Sequence, residues 1–135
     1  MTLNIRYFSD LHLEFIERNK IEQFITKIQP GIDDEICILA GDIGNPYQPN
    51  YNIFMEFISK HFKKTFVISG NHEYYNETKT IQETNEFMKK YFEKFDNISF
   101  LNNTYENYNN VCFIGTTLWS KIVNPAYKIN DVYNI

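Results

Sequence analysis

Histidine and cysteine are both scarce here, with three and two residues in a chain of 135. Cys37 and Cys112 stand far apart, each inside an apolar run, Ile36-Cys37-Ile38 and Val111-Cys112-Phe113. No close pair exists to form a metal knuckle or redox motif, so both are expected to be reduced, buried core thiols. The start, Met1-Thr2-Leu3-Asn4-Ile5-Arg6, lacks the basic and apolar regions of a secretory leader. No apolar run approaches the ~20 residues that a membrane helix needs. A cytoplasmic protein without a membrane partner is expected, and the Asn-x-Ser/Thr triplets at 76–78, 97–99 and 102–104 then carry no weight. Basic residues are not in excess, since 13 Lys and Arg against 17 Asp and Glu leave a net charge of -4. That balance argues against non-specific nucleic-acid binding, which requires a basic face. It leaves room for a phosphorylated substrate, because bound cations reverse the local field. Internal repeats and low-complexity segments are absent as well.

What the chain does have is apolar material, 43% hydrophobic and 17% aromatic, enough to fill one core. A single domain over residues 1–135 is expected. Leu3 to Phe8, Glu35 to Ala40 and Thr65 to Ser69 are short apolar runs of the kind that form strands buried on both faces. Helical patterns lie between and after them. Phe15, Ile21, Phe24, Ile25 and Ile28 share one face, and Pro30-Gly31 ends that helix. Tyr51 to Phe62 and Thr80 to Phe95 repeat the pattern. Two further apolar runs, Ile98 to Leu101 and Val111 to Ile114, flank a polar stretch from Asn102 to Asn110. The alternation predicts an α/β domain with right-handed crossovers, and an irregular tail from Lys121 onward.

The chemistry gathers where the runs end. Asp10-Leu11-His12 follows the first, Gly41-Asp42 the second and Gly70-Asn71-His72-Glu73 the third. In open α/β sheets the ligand site lies outside the carboxyl ends of the strands. The clusters recur about every 30 residues, the length of one strand-helix-strand unit. Asp10, His12, Asp42, Asn71 and His72 should therefore meet on one rim. Carboxylate, imidazole and amide oxygen together suit Mn, Fe or Zn better than Ca. Gly41 and Gly70 permit sharp turns and close backbone approach. The bland alternatives are helix N-caps for Asp10 and Asp42, a loop histidine for His12, and a cap or turn residue for His72. Glu73 reads as a structural acid rather than a ligand, and Glu14 as solvated. His61, in Lys60-His61-Phe62-Lys63-Lys64, reads as structural at a helix end, where a cation meets the helix dipole.

Ser-Asp-Leu-His-Leu-Glu at 9–14, Leu-Ala-Gly-Asp-Ile-Gly at 39–44 and Ser-Gly-Asn-His-Glu at 69–73 resemble the first three motifs of the calcineurin-like metallophosphoesterases. Gly115-Thr-Thr-Leu-Trp119 resembles a segment that follows the third motif in small members. The resemblance implies the N-terminal half of an α-β-β-α sandwich with strand-helix alternation. It implies two divalent metal ions, with Asp10 and His12 on one, Asn71 on the other and Asp42 bridging. His72 would be the catalytic residue, protonating the leaving group or stabilising the transition state. The implied activity is hydrolysis of a phosphomonoester or phosphodiester by metal-activated hydroxide.

Two departures qualify that reading. The family completes its site with a later histidine and a Gly-His-x-His motif, and after His12 and His72 only His61 remains. A truncated domain is expected on this ground. The alternative function is then an inactive remnant or metal-binding half-domain that needs a complementing chain or self-association. Its uncovered sheet face would be lined from the strands around Val67, Ile98, Phe100, Val111 and Phe113. Second, Gly41-Asp42-Ile43-Gly44-Asn45-Pro46 lacks the arginine that follows this motif in the family's protein phosphatases, which favours small phosphoesters or phosphodiesters.

Overall fold

The computed structural model describes residues 2–32 and 35–119; the tail from Lys121 onward lies outside the described residues. Strands β1 (Ile5–Phe8), β2 (Ile36–Ala40), β3 (Lys64–Ile68) and β4 (Ile98–Phe100) form a parallel sheet in the order β1-β2-β3-β4. Because each crossover steps the same way along the sheet, right-handed connections place all the intervening helices on one face. The mixed α/β fold with strand-helix alternation is the one expected from the order of apolar runs and helical patterns.

The helices differ in how firmly their sequences define them. Helix α2 (Pro49–His61) begins with proline, whose fixed φ and missing N–H suit a helix start. Helix α3 (Ile81–Phe92) begins with a reciprocal capping box between Thr80 and Glu83. The first helical stretch, expected as one helix, is instead α1 (Ile21–Ile25) between two 3₁₀ turns, Arg18–Lys20 and Thr26–Ile28. No side-chain cap serves any of these three short pieces, and Ile21, Ile25 and Ile28 hold them in place by burial.

On the helix face Cys37, Leu39, Val67 and Ile98 join Phe54, Ile58, Met88 and Phe92 in one buried cluster. The opposite face is covered by a hairpin, β5 (Thr104–Tyr108) and β6 (Val111–Gly115). Strand β5 lies inside the polar stretch that was expected only to separate two strands. Its sequence, Thr-Tyr-Glu-Asn-Tyr, hides the strand because half of it faces water. The turn is Asn109-Asn110, both at positive φ (50° and 63°), the left-handed pair that a two-residue hairpin loop requires.

Phe113 of β6 stacks on Phe66 of β3 with centroids 4.1 Å apart. Beside them Lys64 Nζ meets Glu106 Oε1 at 2.6 Å and donates to Ser99 Oγ at 2.7 Å. Ile36, Phe66 and Leu101 are buried in this second, smaller cluster. Val67, Ile98 and Phe100, expected to line the uncovered face, belong instead to the helix side, since strand residues alternate sides. The apolar residues left exposed on the hairpin side of β1 are Ile5 and Tyr7, the latter 76% exposed. Cys37 is buried as expected, but Cys112 is exposed on the outward side of the hairpin. Among the described residues no helix is long and apolar enough to cross a membrane.

Candidate metal centre

Backbone pairing continues past the ends of the strands and sets the site. Asp10 N–H donates to the Gly41 carbonyl at 3.1 Å, His12 N–H to Asp42 at 3.0 Å and Leu13 N–H to Ile43 at 2.9 Å. The first two loops thus run side by side. Within them Asp10, His12 and Asp42 all adopt left-handed backbone, with φ of 55°, 48° and 52°. For residues other than glycine this costs on the order of 1–2 kcal/mol each. Such strain persists only where the surroundings over-determine it, and here the paired loops hold all three residues in place.

The third loop is bound to the second by Glu73. This side chain is buried, at 1% exposed, beneath the loop carrying Asp42. One carboxylate oxygen accepts from Gly70 N–H (2.7 Å) and Asp42 N–H (3.0 Å), and the other from Ile43 N–H (2.8 Å) and Gly44 N–H (3.4 Å). Glu73 is a structural acid, as its sequence context suggested. Burial pushes its carboxyl up to about 7, with the charge of Asp42 adding to the rise and hydrogen bonds from Gly70 and Ile43 opposing it. Gly70 is required by close approach, since a Cβ there would lie 2.7 Å from the Asp42 nitrogen and collide with its carboxylate. The loop then turns through a 3₁₀ segment, His72–Tyr74, and His72 N–H donates to Asp42 Oδ1 at 2.8 Å.

These constraints bring most of the candidate residues together. Ligand atoms of Asp10, His12 and Asp42 lie within 4.8 Å of one another, and so do those of His12, Glu14 and His72. The imidazoles of His12 and His72 sit edge to face at 4.3 Å. Asn71 precedes His72 in the third loop, and its side-chain amide donates to the Tyr75 hydroxyl at 2.7 Å. His61 is elsewhere, stacked on Phe57 at 4.0 Å with Nδ1 on the Phe57 carbonyl, the structural place expected for it.

Glu14 corrects the sequence reading. It is not solvated: its side chain is 12% exposed, and Oε1 lies 3.2 Å from His12 Nδ1 and 2.9 Å from His72 Nδ1. The overlooked signal was its position two residues after His12. A left-handed His12 and the 3₁₀ turn Leu13–Phe15 fold Glu14 back over the imidazole. The donor set of carboxylates and imidazoles, gathered by strained backbone, fits divalent metal cations.

The calcineurin-like phosphoesterase family profile matches residues 3–134, and the chain belongs to that family. It is 39% identical over 128 residues to uncharacterized protein L509 of Acanthamoeba polyphaga mimivirus, a match covering 87% of this chain and 45% of that protein. Its fold is similar to that of phosphopantetheinyl hydrolase PptH from Mycobacterium tuberculosis, with a TM-score of 0.61, 15% identity, and coverage of 78% of this chain and 38% of that one. The chain therefore spans less than half the length of either relative.

Proposed function

We propose that this chain supplies the leading ligands of a metal-dependent phosphoesterase centre acting on a small phosphomonoester or phosphodiester. The carrying observation is the convergence of Asp10, His12 and Asp42 ligand atoms within 4.8 Å at the carboxyl ends of the parallel strands. Asp10 and His12 would hold one divalent ion, Asn71 a second, and Asp42 would bridge them. Bound divalent ions would supply hydroxide at neutral pH and polarise the phosphoryl oxygens. The chain's own work is to orient that set. Asp42 is held by the His72 and Glu73 hydrogen bonds, and His72, once its Nε2 has taken up a proton, would donate it to a leaving oxygen.

The missing arginine after Asp42 favours small phosphoesters over phosphoproteins. With His61 remote, the family's later histidine ligands would come from outside these 135 residues. Calorimetric titration of the chain with Mn²⁺ or Zn²⁺ tests the proposal. About one site, abolished in Asp42→Ala, is expected. Absence of binding by the unsubstituted chain would overturn it, and two tight sites would overturn the external origin of the remaining ligands.

A further inference from the structure

We infer that Glu14 is a positioning residue that fixes the tautomers of His12 and His72 together, holding both as Nδ1–H so that both Nε2 atoms present lone pairs. The inference deepens the metal-centre reading and rests on it for its consequence, but not for its test. Oε1 of Glu14 lies 3.2 Å from His12 Nδ1 and 2.9 Å from His72 Nδ1. An ionised carboxylate only accepts hydrogen bonds, and one oxygen has capacity for two. Both contacts are satisfied at once only if both Nδ1 atoms carry protons. In a neutral imidazole the second nitrogen is then an acceptor, the form that binds a cation or takes up a proton.

Other observations show that this carboxylate is committed to the imidazoles. Its second oxygen, Oε2, is buried and has no hydrogen-bond partner among the described residues. Space for it is made at Gly44, where a Cβ would come 3.3 Å from Oε2 and 2.9 Å from the Leu13 Cβ. Phe15, in the same turn as Glu14, contacts both imidazoles, with ring centroids 5.8 Å from His12 and 6.2 Å from His72. The Tyr75 ring lies 4.5 Å from that of His72. A carboxylate that orients an imidazole through one nitrogen raises the basicity of the other, and losing such a partner costs about 10–100-fold in metal affinity.

Long-range proton–nitrogen correlation spectra of the metal-free 135-residue chain decide the matter, because its three histidines can be assigned individually. The measurement belongs about two pH units above the ordinary imidazole value of ~6.5. His61 is an internal standard for the Nδ1–H form, since its Nδ1 faces the Phe57 carbonyl at 2.8 Å, which can only accept. His12 and His72 are expected to match His61 in the unsubstituted chain. In Glu14→Ala both should shift to the Nε2–H form while His61 stays unchanged, and Zn²⁺ affinity should fall about 10–100-fold. Glu14→Gln keeps the side-chain volume and one acceptor oxygen, so it should retain Nδ1–H at both histidines. Glu14→Met keeps most of the volume without that acceptor and should shift both to Nε2–H, so it reports on the same contacts if alanine perturbs the fold. Nε2–H at His12 and His72 in the unsubstituted chain overturns the inference, as does indifference of their tautomers to Glu14→Ala and Glu14→Met. Complete loss of Zn²⁺ binding in Glu14→Ala with unchanged tautomers would make Glu14 a ligand instead, leaving the metal-centre reading intact.

Discussion

The two faces of the four-stranded sheet are finished in different ways. The helix face is closed by α2 and α3, and Phe54, Ile58 and Met88 above it are fully buried along with Cys37, Leu39 and Val67 below. The hairpin face is closed over β3 and β4, where Phe66 meets Phe113, while Ile5 and Tyr7 on β1 remain exposed. The difference follows from topology. Every crossover lands on the same side, so the other side depends on chain that arrives after β4. Stability is thus concentrated on the helix side, and the hairpin side is the one that tolerates change.

The largest expected effect lies on the helix side. Phe54→Ala should lose about 4 kcal/mol in denaturant titrations, a large part of a domain's net stability. Phe66→Ala, whose ring is covered by a two-stranded ribbon able to settle into the gap, should cost less, about 3 kcal/mol. Were Phe66→Ala the more damaging, the ranking of the two faces would be reversed. At the rim joining the faces, Glu73→Gln replaces one acceptor oxygen by an amide nitrogen and strands buried backbone donors. About 2 kcal/mol should be lost.

The ion pair under the hairpin sharpens the comparison by pH. Burial tends to raise the Glu106 carboxyl, but hydrogen bonds from Lys64 and Ser99 and the Lys64 charge outweigh it and hold the group below its ordinary value. A folded value below the unfolded one means that the stabilisation is present above the unfolded carboxylate range. It is lost as pH falls through the depressed folded value. Glu106→Gln should therefore flatten the acid limb of the stability curve, by no more than about 0.5 kcal/mol given solvent screening. The smallest effect needs no substitution. Burial pushes the Cys37 thiol up to about 12, whereas Cys112 is exposed. A thiol reagent should label Cys112 in the native protein and Cys37 only on unfolding; prompt labelling of Cys37 would show the helix face to be open.

Strands β1 to β3 and the polar clusters that follow them were legible because each apolar run stops abruptly at its cluster. The three motifs, in order at one-unit spacing, carried the family assignment as well. Strand β5 was not legible, since Tyr105 and Asn107 face outward and leave no apolar run to detect. Nor was the site of Cys112: a strand's alternation puts Phe113 inward and its neighbour outward, and an apolar sequence does not say which. Glu14 escaped notice because its burial depends on the left-handed turn at His12, a backbone choice that residue identity there does not announce.

Glu73 joins amides of Asp42, Ile43 and Gly44 to the Gly70 amide across nearly thirty residues of intervening chain. Loops usually exchange their amide protons singly, through small independent openings. Here none of these protons can be released to solvent through this contact without disturbing the same carboxylate. The two loops should consequently open as one cooperative unit, giving nearly equal exchange free energies for the four amides. The rim would then either be whole or absent, with no half-formed state from which a cation could be captured in the wrong arrangement.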